Sequence, residues 1–142
     1  LLIVDDRLDV ALAANADGVH LGQEDLPIRD AKRIAPDLIV GASTHNLSEI
    51  EQAVADGTDY LNVGPIFPTQ TKRVSCVPVG VEQLKSWIPK IPVPFTVMGG
   101  IKERHVPRLL ELGVRRVAMV TCVTQAADPA AATKNLLDYW RP

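Results

Sequence analysis

The sequence predicts a parallel α/β fold, and three observations predict it. Short apolar runs alternate with stretches whose apolar residues recur every three or four positions, the pattern of successive βα units. The runs are continuous rather than alternating, as expected of strands covered by helices on both faces. The phrases Ala16-Asp17-Gly18-Val19, Gly57-Thr58-Asp59-Tyr60 and Leu112-Gly113-Val114-Arg115 each close a helix and lead into the next strand. Such alternation allows a closed barrel or an open doubly wound sheet. The lack of GxGxxG after the first strand counts against the dinucleotide-binding version of the latter.

Six units fit. Strands are expected at Leu1 to Val4, Gly18 to Leu21, Leu38 to Ala42, Tyr60 to Val63, Pro94 to Met98 and Arg116 to Val120. Helices are expected near Leu8 to Ala14, Ile28 to Ile34, Ser48 to Ala55, Val81 to Trp87, Glu103 to Leu112 and Pro129 to Tyr139. Ser48 and Glu51 have the spacing of a capping box, and Asp128-Pro129 suits an N-cap followed by a first-turn proline. Gly57 and Gly113 stand where helices should stop.

The 142 residues, 46% hydrophobic and 23% charged, have the make-up of a globular domain with enough apolar material for one core. A formal charge of −2 without a basic stripe excludes a nucleic-acid partner. No apolar run reaches the roughly 18 to 20 residues of a membrane helix, so we expect no membrane partner and a cytoplasmic setting. Cys76 and Cys122 lack metal-site spacing and read as reduced thiols. The chain opens without Met, directly on an apolar strand, so we expect a missing upstream segment.

In a parallel barrel the site forms from loops at the C-terminal strand ends, which directs attention to the polar residues after each run. These are Asp5 and Asp6; Gln23, Glu24 and Asp25; Ser43, Thr44 and His45; the loop Gly64 to Lys72; Gly99-Gly100-Ile101; and Thr121. Asp6 and Asp25 offer two hard carboxylate oxygens of the kind that hold Mg²⁺ together with water and phosphate. Equally, each could cap the helix that follows it. Gly99-Gly100 with Val120-Thr121 could present backbone N–H groups to a phosphate, or be tight turns that need glycine. Lys72, with the Thr69 and Thr71 hydroxyls, could meet a pyrophosphate, or be a solvated loop lysine. Ser43 could bond a phosphate oxygen or satisfy its own turn. His45 could transfer protons or simply cap or pack at the rim. His20, inside an apolar strand, is expected to fill the interior with its ring nitrogens satisfied.

Five ordered phrases, Asp5-Asp6-Arg7-Leu8-Asp9-Val10-Ala11-Leu12, Asp17-Gly18-Val19-His20-Leu21-Gly22-Gln23-Glu24-Asp25, Gly41-Ala42-Ser43-Thr44-His45, Gly64-Pro65-Ile66-Phe67-Pro68-Thr69-Gln70-Thr71-Lys72 and Gly99-Gly100-Ile101, resemble the thiamin-phosphate synthase family along essentially the whole chain. The resemblance implies a (β/α)8 TIM-barrel type fold with about six of the eight units present. Residues 1–142 would then form a single partial barrel domain lacking the first two units. It implies a Mg²⁺-dependent transferase that joins hydroxymethylpyrimidine pyrophosphate to thiazole phosphate, releasing pyrophosphate. Asp6 and Asp25 are implied as metal ligands, and Ser43 and Lys72 as catalytic residues on the pyrimidine pyrophosphate. Thr69, Gln70, Thr71, Gly100, Val120 and Thr121 are implied to hold the thiazole phosphate.

Three departures stand out. Asp5 occupies the substrate-binding position where the family usually has Asn, Thr121 replaces the usual Ser, and the upstream Gln-Leu-Arg-x-Lys-like segment is absent. Six units leave strand edges unpaired, so little activity is expected of this chain alone. Small molecules are the expected partners, and homo-oligomerisation stays open. Two alternatives remain: a thiazole tautomerase of the same fold, with His45 as its proton-transfer residue, and a non-catalytic phosphate-binding domain.

Overall fold

A computed structural model describes residues 1–69 and 77–141. The strands β1 (Ile3–Asp5), β2 (Gly18–Leu21), β3 (Ile39–Thr44), β4 (Tyr60–Val63) and β5 (Phe95–Val97) form one sheet in the order β1-β2-β3-β4-β5. The first four pair in parallel, in register Ile3↔Gly18, Gly18↔Ile39 and Gly41↔Tyr60. Helices α1 (Leu8–Ala13), α2 (Ile28–Ile34), α3 (Leu47–Ala55), α4 (Gly80–Trp87), α5 (Val106–Glu111), α6 (Thr121–Thr124) and α7 (Pro129–Asp138) complete the chain, with short 3-10 turns at Ile88–Lys90 and Glu103–His105. Two compact units result, Leu1–Val63 with Trp87–Phe95, and Gly64–Ser86 with Thr96–Pro142. No helix among the described residues is long and apolar enough to cross a membrane.

In the first unit each helix buries a large apolar residue and an alanine one turn later: Leu8 and Ala11, Ile28 and Ala31, Ile50 and Ala53. The i, i+3 spacing puts each pair on one stripe, and alanine lets the backbone come close beneath the larger side chain. Val19, Leu21, Val40, Leu61 and Val63 supply the strand side of that core, at 1% exposure or less. Fully burying such a side chain contributes about 1.5–3 kcal/mol. The second unit has its own buried set, including Ile66, Leu84, Val97, Val106, Leu109 and Val114.

The recurring phrase between helix and strand has a physical basis. At the end of α3, Gly57 N–H donates to Val54 O and Thr58 N–H to Ala53 O. After α5, Gly113 pairs with Leu110 and Val114 with Leu109 in the same way. These are paired C-terminal closures that need a left-handed residue, and both glycines have φ near +86, at 87° and 85°. After α1 the same bonds form with Asn15, at φ 48°, in the glycine's place. The aspartate of the phrase then tethers the sheet: Asp17 Oδ2 accepts from Leu2 N–H at 2.6 Å and Asp59 Oδ2 from Val40 N–H at 2.7 Å.

Several expectations are corrected. The sixth strand, Arg116 to Val120, is reduced to one bridge, Val97↔Val117, and α6 begins at Thr121, where no helix was foreseen. The stretch from Glu103 to Leu112 begins as a 3-10 turn because Pro107 at the second position of α5 has no N–H to continue an earlier helical ladder. The capping pair of α3 is Asn46 and Glu49 rather than Ser48 and Glu51: Asn46 Oδ1 accepts from Glu49 N–H at 3.0 Å, and its Nδ2 donates to Glu49 Oε1 at 2.6 Å. Asp128 does cap α7, accepting from Ala131 N–H at 2.9 Å, with Pro129 in the first turn.

Candidate functional site

In the first unit the polar residues follow the C-terminal ends of β1, β2 and β3. β1 ends at Asp5, and the chain then turns through Asp6, whose φ is 65°. Arg7 N–H donates to Asp5 O at 2.7 Å, so one residue spans the turn: a γ-turn of the rare positive-φ kind, which is strained. Aspartate tolerates the left-handed region better than most residues, yet the conformation still costs on the order of 1 kcal/mol or more. Asp6 N–H meanwhile donates to His20 O at 2.8 Å. The N-cap position of the helix that follows falls on Arg7, which makes no side-chain cap bond. That of α2 falls on Pro27, again without a side-chain cap. Instead Asp25 Oδ2 accepts from Gly22 N–H at 2.6 Å and closes the β2–α2 turn. Neither aspartate occupies the N-cap position of the helix that follows it.

His20, half-buried on β2, has both ring nitrogens engaged: Nδ1 with Tyr60 Oη at 2.9 Å and Nε2 with Ser43 Oγ at 2.8 Å. Ser43 thus points its hydroxyl at the imidazole rather than satisfying its own turn. Tyr60 reaches His20 because its cross-strand neighbour is Gly41, where an added Cβ would lie 2.1 Å from Tyr60 Cζ. Burial lowers the His20 pKa below the ordinary imidazole range, against Asp5, Asp6 and Asp25, which pull it upward. Burial together with Asp5 raises that of Tyr60. His20 is therefore neutral near pH 7, donating through one nitrogen and accepting through the other.

The folded chain binds this proton more weakly than the unfolded one. The contribution of His20 to stability is present above about pH 6.5 and is lost as pH falls from there through the lower folded-state value. The loss in urea-unfolding stability between pH 7.5 and 5.5 should accordingly shrink in His20→Gln; an unchanged loss would assign the acid sensitivity to other groups.

His45 is held by Glu49, whose Oε2 accepts from His45 N–H at 2.7 Å and lies 2.9 Å from Nδ1. Asp9 is paired with Arg7, which holds its carboxyl down to about 2. Asp5, Asp6 and Asp25, after β1 and β2, act together on the charge of His20. No group of three or more His, Cys, Asp or Glu among the described residues is placed to hold a metal by itself. Asp6 and Asp25 provide hard oxygen donors without a thiolate, and both His20 nitrogens are already used. That chemistry fits an oxygen-seeking divalent ion that takes its remaining ligands from water and substrate.

In the second unit the loop after β4 runs beside the end of β5: Ile66 N–H donates to Met98 O at 2.9 Å and Phe67 N–H to Gly99 O at 3.0 Å. Gly100, at φ 65°, follows, and a Cβ there would lie 2.4 Å from Pro68 O and 2.5 Å from Phe67 O. Two residues on, Lys102 Nζ donates to Thr121 Oγ1 at 2.6 Å. Lys102 N–H donates to His105 Nδ1 at 3.0 Å, and the His105 ring stacks on Phe67 with centroids 3.9 Å apart. Burial, then the positive Arg104 and Lys102, lower the His105 pKa. Thr69 and Thr121 are half-buried and Val120 is exposed, so Thr69, Gly100, Val120 and Thr121 belong to this unit. Cys122 is a free thiol, its Sγ 3.3 Å from Ile101 O. Gln70, Thr71, Lys72 and Cys76 lie outside the described residues.

The sequence reading missed Tyr60 and Lys102. Tyr60 could have been found from its pairing with a glycine, had the register been known. Lys102 follows a strand end and precedes a helix, the criterion that selected Thr121.

Parallel βα units with polar and glycine residues gathered after their strands define an α/β protein of the kind that builds its sites at strand ends. The family is that of thiamine monophosphate synthase (TMP-TENI), whose family model matches residues 1–123, and the chain belongs to it. A thiamine-phosphate synthase of Chloroflexus aurantiacus is 44% identical over 135 residues, which are 95% of this chain and 62% of that one. The solved structure of the thiamine phosphate pyrophosphorylase from Pyrococcus furiosus matches with a TM-score of 0.86 and 42% identity, over 96% of this chain and 65% of that one. A 3-hexulose-6-phosphate synthase, at TM-score 0.69 and 23% identity over 93% of this chain and 66% of that one, is alike in fold alone. The chain spans less than two thirds of the length of the two thiamin relatives.

Proposed function

We propose that these residues work in a thiamin-phosphate synthase, a transferase that condenses hydroxymethylpyrimidine pyrophosphate with thiazole phosphate. They would do so as a single partial domain of TIM-barrel type, with about six of eight units, in the cytoplasm. The observation that carries this reading is the strained turn at Asp6: backbone strain is retained where it positions a functional group. Asp6 and Asp25 are the proposed Mg²⁺ ligands. The ion, when bound, would neutralise charge on the pyrophosphate leaving group. Ser43, oriented by His20, would donate to a pyrophosphate oxygen, with Asp5 at the same end of β1 and Lys72 as the cation that stabilises the departing group. Thr69, Gln70, Thr71, Gly100, Val120 and Thr121 would hold the thiazole phosphate, leaving its ring nitrogen to displace pyrophosphate from the pyrimidine methylene. The 44% identity to a thiamine-phosphate synthase favours this reading over a tautomerase with His45 as its proton-transfer residue.

The test is formation of thiamin phosphate from the two substrates with Mg²⁺. It compares this chain with one extended at its N terminus to the length of the Chloroflexus relative. Turnover is expected in the extended chain and little in the shorter one. Binding of thiazole phosphate without turnover in either would favour a non-catalytic phosphate-binding domain, and turnover of a thiazole without Mg²⁺ the tautomerase.

A further inference from the structure

We infer that Lys102 is a phosphate-binding residue, acting with the Thr121 hydroxyl to recognise the phosphate of the thiazole substrate. The inference rests on the function proposed above, in which a thiazole phosphate is one of the two substrates, and adds to it a cation outside the set of residues implied to bind that phosphate.

Three observations carry it. Lys102 Nζ lies 2.6 Å from Thr121 Oγ1. A lysine ammonium has three hydrogens and no acceptor, so Thr121 oxygen is the acceptor and its own hydroxyl hydrogen is left to point elsewhere. The pair therefore presents several donors from two adjacent atoms, the arrangement that suits an oxyanion. Second, Lys102 forms no ion pair among the described residues. Its partner is a neutral hydroxyl, so its charge remains available to an anion. Third, the backbone of Lys102 is fixed from two sides. Its N–H is tied to His105 Nδ1 at 3.0 Å, and the His105 ring is stacked on Phe67, next to the carbonyl that closes over Gly100. A cation on such an anchored backbone loses less freedom on binding than one on a mobile loop.

Ligand dependence separates this role from a merely structural one. If the bond to Thr121 only fastened α6, removing the ammonium would affect stability and all ligands alike. If Lys102 reads phosphate, the loss falls on the phosphorylated ligand alone.

Calorimetric titration of the N-terminally extended chain with thiazole phosphate, and separately with the corresponding dephosphorylated thiazole alcohol, tests this in the parent, Lys102→Met and Lys102→Arg. Circular dichroism checks that each variant is folded. We expect Lys102→Met to weaken thiazole phosphate at least tenfold without changing the alcohol, and Lys102→Arg to retain most of the affinity. Equal weakening of both ligands, or affinity for the phosphate unchanged in Lys102→Met, overturns the role of Lys102 while leaving the proposed function in place. Failure of the parent chain to bind thiazole phosphate at all removes both. Should Lys102→Met not fold, Lys102→Gln takes its place: selective loss of the phosphorylated ligand supports the role, and equal loss of both ligands or unchanged phosphate affinity overturns it.

Discussion

Asp25→Asn is expected to lower the rate of thiamin phosphate formation on the order of a hundredfold in the N-terminally extended chain, with the fold intact. The two halves of that expectation come from different parts of the side chain. The turn needs only an acceptor for Gly22 N–H, which now finds Asp25 Oδ2 at 2.6 Å, and an amide oxygen can serve. The proposed metal site needs a negative charge and hard oxygen, which an amide supplies poorly. Charge opposite a departing pyrophosphate is where catalytic stabilisation is largest, with losses of about 10²- to 10³-fold when one such contact is removed. Asp6→Asn should behave similarly, since asparagine also tolerates the left-handed backbone found at position 6. The rate should be followed against Mg²⁺ concentration, alongside the urea midpoint. A rate within threefold of the parent at saturating Mg²⁺ would show that Asp25 merely closes its turn; a lowered urea midpoint with a proportionate loss of active protein would mean the same.

Much of the fold could be read from the sequence where local and long-range preferences agree. β2, α2 and β4 match their expected bounds because a continuous apolar run or a regular stripe is closed on each side by a turn signal. The helix-closing glycines were legible for the same reason: their left-handed backbone is a property of one residue. The failures lie where the outcome depends on a partner distant in sequence. Arg116 to Val120 has the composition of a strand, but among the described residues only Val117 finds a bridge partner, at Val97, and the chain passes directly into α6. Asn46 displaced Ser48 as the cap because both its oxygen and its amide engage Glu49, a reciprocity that spacing alone does not rank.

The candidate site was legible as a set of residue types and less so as a set of contacts. Asp6 and Asp25 were placed after strands, yet the γ-turn at Asp6 and the bond from Gly22 N–H to Asp25 were not read from the sequence. His20 was expected to satisfy its ring nitrogens, and it does, but its partners Tyr60 and Ser43 lie 40 and 23 residues away on two other strands. Their meeting depends on Gly41 leaving room for the Tyr60 ring, a steric fact visible only once the register is known.

That kind of close approach yields the largest expected effect on stability. Gly100→Ala should destabilise the chain by about 2–5 kcal/mol and abolish measurable binding of thiazole phosphate. Two costs combine. An L side chain at φ 65° costs about 1–2 kcal/mol, and overpacking a filled position typically costs 1–3 kcal/mol. Here the crowding atoms are the carbonyl oxygens of Pro68 and Phe67, at 2.4 and 2.5 Å from the added Cβ, which cannot swing aside as a side chain would. Gly57→Ala separates the two costs: at φ 87° it incurs the backbone penalty, but nothing lies within 4 Å of its Cβ. Urea unfolding of both variants should show Gly100→Ala as the more damaging by at least about 1 kcal/mol. Equal losses would mean that the 67–68 backbone yields to a methyl group, and the turn could then not be the rigid wall against which a phosphate is held.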